Sequence, residues 1–165
     1  MATELPDEVD CRQLADEARS ISGSIAPARL THISGVFRLA GSARVRLDFR
    51  RDDDQRIAID GEIDAPVEAQ CQRCLEWMSL ELCITVCALA MPSADDDFAY
   101  EQNLIAAPEG QLKLADMVED EILLACPMIP VHVDRSCDSQ ADSGPRPDER
   151  YKPFAGLADL IKKKG

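Results

Sequence analysis

Cys71-Gln72-Arg73-Cys74 sets two thiols at the spacing of half a tetrahedral metal site. The other half must come from elsewhere in the chain. His132 and Cys137 are the distant candidates, and the four together make a Cys₃His donor set. Thiolate and imidazole ligands suit Zn²⁺, so zinc is the cofactor this set would take. A Cys-x-x-Cys turn between two strands places both sulfurs on one side, as a knuckle requires. A second reading leaves the same thiols reduced and packed in or near the core. A third makes them a redox pair. Redox pairs sit at a helix N-terminus, where the dipole lowers the thiol pKa, and here the pattern on both flanks is strand.

Two further groups of residues bear on binding. Arg44, Arg46 and Arg50 fall on one face of an alternating segment, with Arg51 at its end and Arg73 between the two thiols. Arginine makes bidentate contacts to phosphate, so this surface is the candidate for RNA. It equally fits a solvated face partly neutralised by Asp48 and Asp52 to Asp54. Aromatic side chains are scarce, so contact led by phosphate rather than base stacking is expected. On a helix-like segment, Asp116, Glu119 and Asp120 share one face with no Lys or Arg four residues on. That face reads as solvated, as a general acid/base or Mg²⁺ carboxylate set, or as a receiver for a basic protein partner. No nucleophile, base and orienting group occur together, so an enzyme is not expected. His32 stands alone and reads as a polar contact. Cys11, Cys83, Cys87 and Cys126 read as structural.

The elements that must position these groups follow from periodicity. Residues 8–20 read as a short helix capped by Asp10, broken by Ser22-Gly23-Ser24. Ile33 to Ala40 reads as a strand. Val45, Leu47 and Phe49 alternate with charged residues and read as a half-buried strand. Ile57, Ile59 and Ile63 begin its partner, which runs to Gln70, with Gly61 as a bulge and Pro66 as an edge or kink. Met78, Leu80, Leu82, Ile84, Val86 and Ala88 face one way on a third strand. Pro92 to Gly110 reads as an acidic loop. Leu114 to Cys126 reads as a helix packed through Leu114, Met117, Val118 and Ile122 and stopped by Pro127. Residues 134–152 read as mobile and polar, followed by a short amphipathic basic tail. The expected fold class is α+β: an antiparallel meander of about four strands, one main packed helix and short terminal helices. The expected organisation is an N-terminal helix and linker over 1–28, a core domain over 29–133, and a mobile segment with basic tail over 134–165.

The chain has 165 residues and a formal charge of −13, unevenly spread. Residues 92–150 hold fourteen acids against four bases, whereas residues 29–56 hold seven arginines against four aspartates. A uniformly acidic protein binds nucleic acid poorly, because counterion release needs Lys and Arg on phosphates. Here small basic zones sit on an acidic body. No apolar run is long enough for a membrane span, and no signal peptide begins the chain, so a cytoplasmic protein is expected. Seven cysteines, an odd number without an export signal, argue against a disulfide framework.

Read in order, several blocks carry a resemblance. They are Cys71-Gln72-Arg73-Cys74-Leu75-Glu76 after a strand, Met117-Val118-Glu119-Asp120-Glu121-Ile122-Leu123-Leu124 before Pro127 and Pro130, then His132 and Cys137, and a closing Pro153-Phe154 with Leu157, Leu160 and lysines. From about Ile33 to the C-terminus the chain resembles the large ribosomal RNA subunit accumulation protein (YceD-like) family. The resemblance implies a non-enzymatic part in synthesis, processing or stability of the large-subunit (23S-type) ribosomal RNA. It makes that RNA or a basic ribosomal protein the expected partner, with no small-molecule substrate. An acidic binding module or chaperone for a basic ribosomal protein remains the alternative, and a metal- or thiol-dependent enzyme a more distant one.

Overall fold

A computed structural model of the chain describes residues 3–91, 103–133 and 137. The chain divides into two units, Met1–Val131 and His132–Gly165. Of the second, His132, Val133 and Cys137 are described. The first unit is α+β, mostly strand with few helices.

Its frame is three long strands. β4 (Ala43–Arg51), β5 (Ile57–Gln70) and β6 (Trp77–Met91) form two successive antiparallel hairpins. Alternation decides the faces. Val45, Leu47 and Phe49 of β4, Ile57, Ile59, Ile63, Ala65 and Val67 of β5, and Val86, Ala88 and Ala90 of β6 are buried. β2 (Ser20–Ile25) extends the sheet beyond β4, and β7 (Leu104–Ala106) pairs parallel to β6 at the other side. β3 (Phe37–Leu39) pairs the end of β5 nearest the cysteine turn. A separate two-stranded sheet joins β1 (Glu8–Asp10) to β8 (Gln111–Lys113).

Two α-helices and two single-turn 3₁₀ helices, Pro27–Arg29 and Pro108–Gly110, complete the described elements. α1 spans Cys11–Asp16, and Asp10 caps it by accepting hydrogen bonds from the N–H groups of Arg12 (2.9 Å) and Gln13 (3.1 Å). α2 spans Leu114–Ala125 and buries Leu114, Met117, Val118 and Ile122 in the core cluster, together with Glu119 at its flank. Among the described residues no helix is long and apolar enough to cross a membrane.

The N-terminal segment departs from the expected single helix over 8–20. It is strand, one and a half turns of helix, then strand. Asp10 caps the helix as expected, but residues 8–10 are drawn into pairing with residues 111–113, and residues 20–25 into pairing with β4. The Ser-Gly-Ser stretch is not a breaker. Gly23 faces the incoming N-terminal segment, where a Cβ would lie 2.3 Å from the carbonyl oxygen of Thr3. Leu5, Cys11, Ala15 and Ile25 belong to the same core cluster as the sheet.

Gly61 does not mark a bulge, because the pairing of β5 with both neighbours runs through it without a slip. It is there for close approach: a Cβ would lie 2.1 Å from the carbonyl oxygen of Arg46. Pro66 falls between the stretches of β5 paired to β4 and to β3, so its missing N–H interrupts neither ladder. The strand expected from Ile33 to Ala40 is confined to Phe37–Leu39. The Ala94–Asp97 stretch, residues 138–152 and the C-terminal tail lie outside the described residues.

Candidate metal centre and its surroundings

Residues 71–76 form the turn that joins β5 to β6. The turn is closed by its own backbone. Cys71 N–H donates to Glu76 C=O (2.9 Å), and Leu75 N–H donates to Cys71 C=O (2.9 Å). The amide of Gln70 adds a bond to Leu75 C=O (3.0 Å). Leu75 takes a left-handed conformation with φ of 64°, a position where glycine is the usual occupant. The sequence lacks a glycine here, and the turn meets the demand just after Cys74 at a leucine whose side chain is 62% exposed.

Inside the turn, Arg73 N–H donates to Cys71 Sγ (3.4 Å). Gln72 N–H donates to Pro130 C=O (2.8 Å), which fastens the chain after α2 to the turn two residues before His132. Pro130 is buried, although Met128 and Ile129 beside it are exposed. Cys71 and Cys137 are buried, and Cys74 and His132 are half-buried. The ligand atoms of Cys71, Cys74, His132 and Cys137 all lie within 4.8 Å of one another. A tetrahedron with metal–sulfur bonds of about 2.3 Å needs ligand separations of roughly 3.8 Å, so the set fits zinc with small adjustment.

The other cysteines carry different chemistry. Burial, with Asp10 beside it, pushes the Cys11 thiol up to about 11. Cys83 and Cys87 lie on the outer face of β6, where hydrogen bonds to Asp64 and Asp60 and the charges of those carboxylates raise both thiols. These groups stay protonated at neutral pH and are poor ligands or nucleophiles.

The arginines form a mixed-charge face rather than a uniform one. Arg44 pairs with Asp64 (3.5 Å), Arg50 with Asp60 (2.9 Å) and Arg51 with Asp16 (2.8 Å). Arg46 is exposed and makes no ion pair among the described residues, with Glu62 opposite it on β5. Arg73 is exposed on the cysteine turn. Near that turn, Arg38 pairs with Glu68 (2.6 Å) and stacks 4.1 Å from the ring centre of Trp77. The sequence reading missed this stack. Its signal would have been a cross-strand neighbourhood, which only the register of β3 with β5 and of β5 with β6 reveals.

On α2, Asp116 and Asp120 are exposed, but Glu119 points inward and is 2% exposed. One of its oxygens accepts from the N–H groups of His32 and Ile33, the latter at 2.9 Å, and the other from His32 Nδ1 at 2.6 Å. Its side-chain hydrogen bond to Glu119, then the carboxylate's charge, raises the His32 pKa, with Asp116 and Asp120 adding to it. Glu119 therefore clasps the loop before β3, and His32 is not an isolated surface residue.

Comparison with known proteins now bears on the whole chain. Residues 59–161 match the sequence model of the family described as large ribosomal RNA subunit accumulation protein YceD. That stretch includes the cysteine turn, α2 and the His132/Cys137 segment. The chain belongs to this family. A relative of that name from Haemophilus influenzae (strain ATCC 51907 / DSM 11121 / KW20 / Rd) is 31% identical over 169 residues, covering 96% of this chain and 97% of the relative. No solved structure matches.

Proposed function

We propose that this protein is a non-enzymatic cytoplasmic factor in the accumulation of large-subunit ribosomal RNA, built around a structural zinc site. Membership of the family supports the process. The convergence of Cys71, Cys74, His132 and Cys137 is the observation that carries the architecture. The donor set suits zinc, and all four positions of a tetrahedron are filled by protein. That is the pattern of a closed structural site rather than a catalytic one, which keeps a position open. Zinc here would contribute folding energy and hold the segment after Pro130 on the β5–β6 turn.

The surface of this turn is the place we assign to RNA. Arg73 projects from it, Arg44, Arg46 and Arg50 line the outer face of the sheet, and Arg51 lies at the end of β4 beside Asp16. Three of the four on β4 are engaged by carboxylates. Exposed pairs of this kind are weak and exchange readily for a phosphate partner. Contact of this type is led by the backbone of the RNA and varies steeply with salt. Crosslinking in cells tests the reading. Large-subunit ribosomal RNA should dominate the crosslinked RNA, and Arg46→Glu with Arg73→Glu should deplete it. A spectrum of RNA matching total abundance would contradict the assignment.

A second reading is favoured by α2. Asp116, Glu119 and Asp120 were the acidic face expected to receive a basic ribosomal protein. With Glu119 turned inward, Asp116 and Asp120 are left to serve that role.

A further inference from the structure

We infer that the groove between β7, β8 and α2 binds an extended basic polypeptide segment with aliphatic anchors, which adds as a strand to the open edge of β7. The inference rests on the second reading above and gives it a site and an occupant.

The groove has a volume of about 570 Å³. Its floor is aliphatic, supplied by Leu104, Ile105, Leu112 and Met117, and Leu124 stands 81% exposed at its rim. The rest of the rim is acidic. Glu8, Asp116, Asp120 and Glu121 line it against a single base, Lys113. Among the described residues none of these carboxylates makes an ion pair. Burial and the charge of Asp120 raise the Glu121 carboxyl, so repulsion is already felt there. A cation brought to this rim relieves it.

The backbone supplies the second, independent observation. Among the described residues β7 is the last strand of its sheet and pairs with β6 alone. The bonds from Leu89 N–H to Asn103 C=O and from Ala107 N–H to Met91 C=O fix which groups face β6. By alternation, the N–H and C=O groups of Leu104 and Ala106 point to the open edge. An extended peptide satisfies such groups, while side chains on one of its faces enter the apolar floor. Lysine or arginine on its remaining positions meets Glu8, Asp116, Asp120 and Glu121. A nucleic acid is disfavoured at the same place, because its phosphates would face four carboxylates against one lysine.

The test uses the full chain and a fluorescent peptide of roughly ten residues alternating lysine with isoleucine, read by anisotropy at physiological salt. The unmodified protein should bind it. The triple variant Asp116→Asn, Asp120→Asn, Glu121→Gln should weaken binding by about tenfold or more. Glu62→Gln with Glu81→Gln, which removes acids from elsewhere on the surface, should change it less than about twofold. The same peptide with prolines in place of alternate residues should lose binding, since strand addition needs its N–H groups. Absence of any binding to the unmodified protein would overturn both the groove and the acidic-face reading. Binding that the two acid variants weaken equally, or that the proline peptide retains, would overturn the groove alone. An RNA oligonucleotide that displaces the peptide from the unmodified protein, but does not bind the triple variant, would overturn the choice of a polypeptide.

Discussion

Glu119 shows how one side chain fixes a loop. A buried carboxylate is costly unless its lone pairs are filled, and here two backbone N–H groups and one imidazole fill them. Glu119→Ala orphans the N–H groups of His32 and Ile33 and should destabilise the fold by about 2–4 kcal/mol, read by urea unfolding. A loss under about 0.5 kcal/mol would mean that water replaces the carboxylate. The partner side of the contact is sensitive to pH. The folded pKa of His32 lies above the unfolded value of about 6.5. The favourable imidazolium–carboxylate contact is therefore fully present below about pH 6.5 and is lost as pH rises through the folded pKa. An NMR titration should place the His32 midpoint above that of an unfolded histidine, and Glu119→Gln should lower it. A midpoint unchanged by the substitution would rule out the contact. The sequence placed Glu119 with Asp116 and Asp120 because all three share a helical face. At 3.6 residues per turn, Glu119 also lies only about 60° from Ile122, at the border of the buried stripe. Helical spacing alone could not say which side of that border it takes.

Among the elements, the three long alternating runs were legible because each presents a clean period of two to one core. β4, β5 and β6 follow from Val45/Leu47/Phe49, Ile57/Ile59/Ile63 and the alternating run from Met78 to Ala88. α2 followed from Leu114, Met117, Val118 and Ile122 at helical spacing. β1, β2, β7 and β8 were not legible. They are between three and six residues long, and their strand state comes from partners distant in sequence rather than from their own pattern. Gly61 was misread for a related reason. A glycine in a strand signals either a bulge or a close approach, and only the cross-strand neighbour distinguishes them. Here that neighbour is Leu47, whose Cα and side chain, with the Arg46 carbonyl before it, crowd the site. Gly61→Ala should cost about 3 kcal/mol through overpacking against backbone, measured as a drop in thermal midpoint. A fully tolerated alanine would show that β4 and β5 can separate locally. Asp10→Ala should cost about 1 kcal/mol by removing the α1 cap, a loss that Asp10→Ser should largely spare.

At the scale of the whole molecule, the acidic composition, the mixed-charge sheet and the cysteine turn belong to one account. The turn sits at the far end of the longest hairpin, where β5 and β6 run for 14 and 15 residues, about 45 Å of extended chain. Core burial fades along β6 toward this end. Val86 and Ala88 are buried, whereas Met78, Leu80, Leu82 and Ile84 are only half-buried. On β5 the burial persists to Val67 and Ala69, and a metal held by the four ligands would add a local cross-link to the β6 side of this tip. The ligand identities were legible from spacing. Their convergence was not, because His132 and Cys137 are distant from the turn in sequence. Metal removal by a strong chelator should leave the core sheet folded while amides of residues 71–76 lose hydrogen-exchange protection. Loss of protection throughout β4 to β6 would instead make the metal essential to the whole fold. The most direct test of the central claim is native mass spectrometry of the full chain purified under reducing conditions. The account predicts one zinc ion per chain, retained at neutral pH and lost in Cys74→Ser with Cys137→Ser. A mass matching the bare chain, in protein never exposed to chelator, would contradict it.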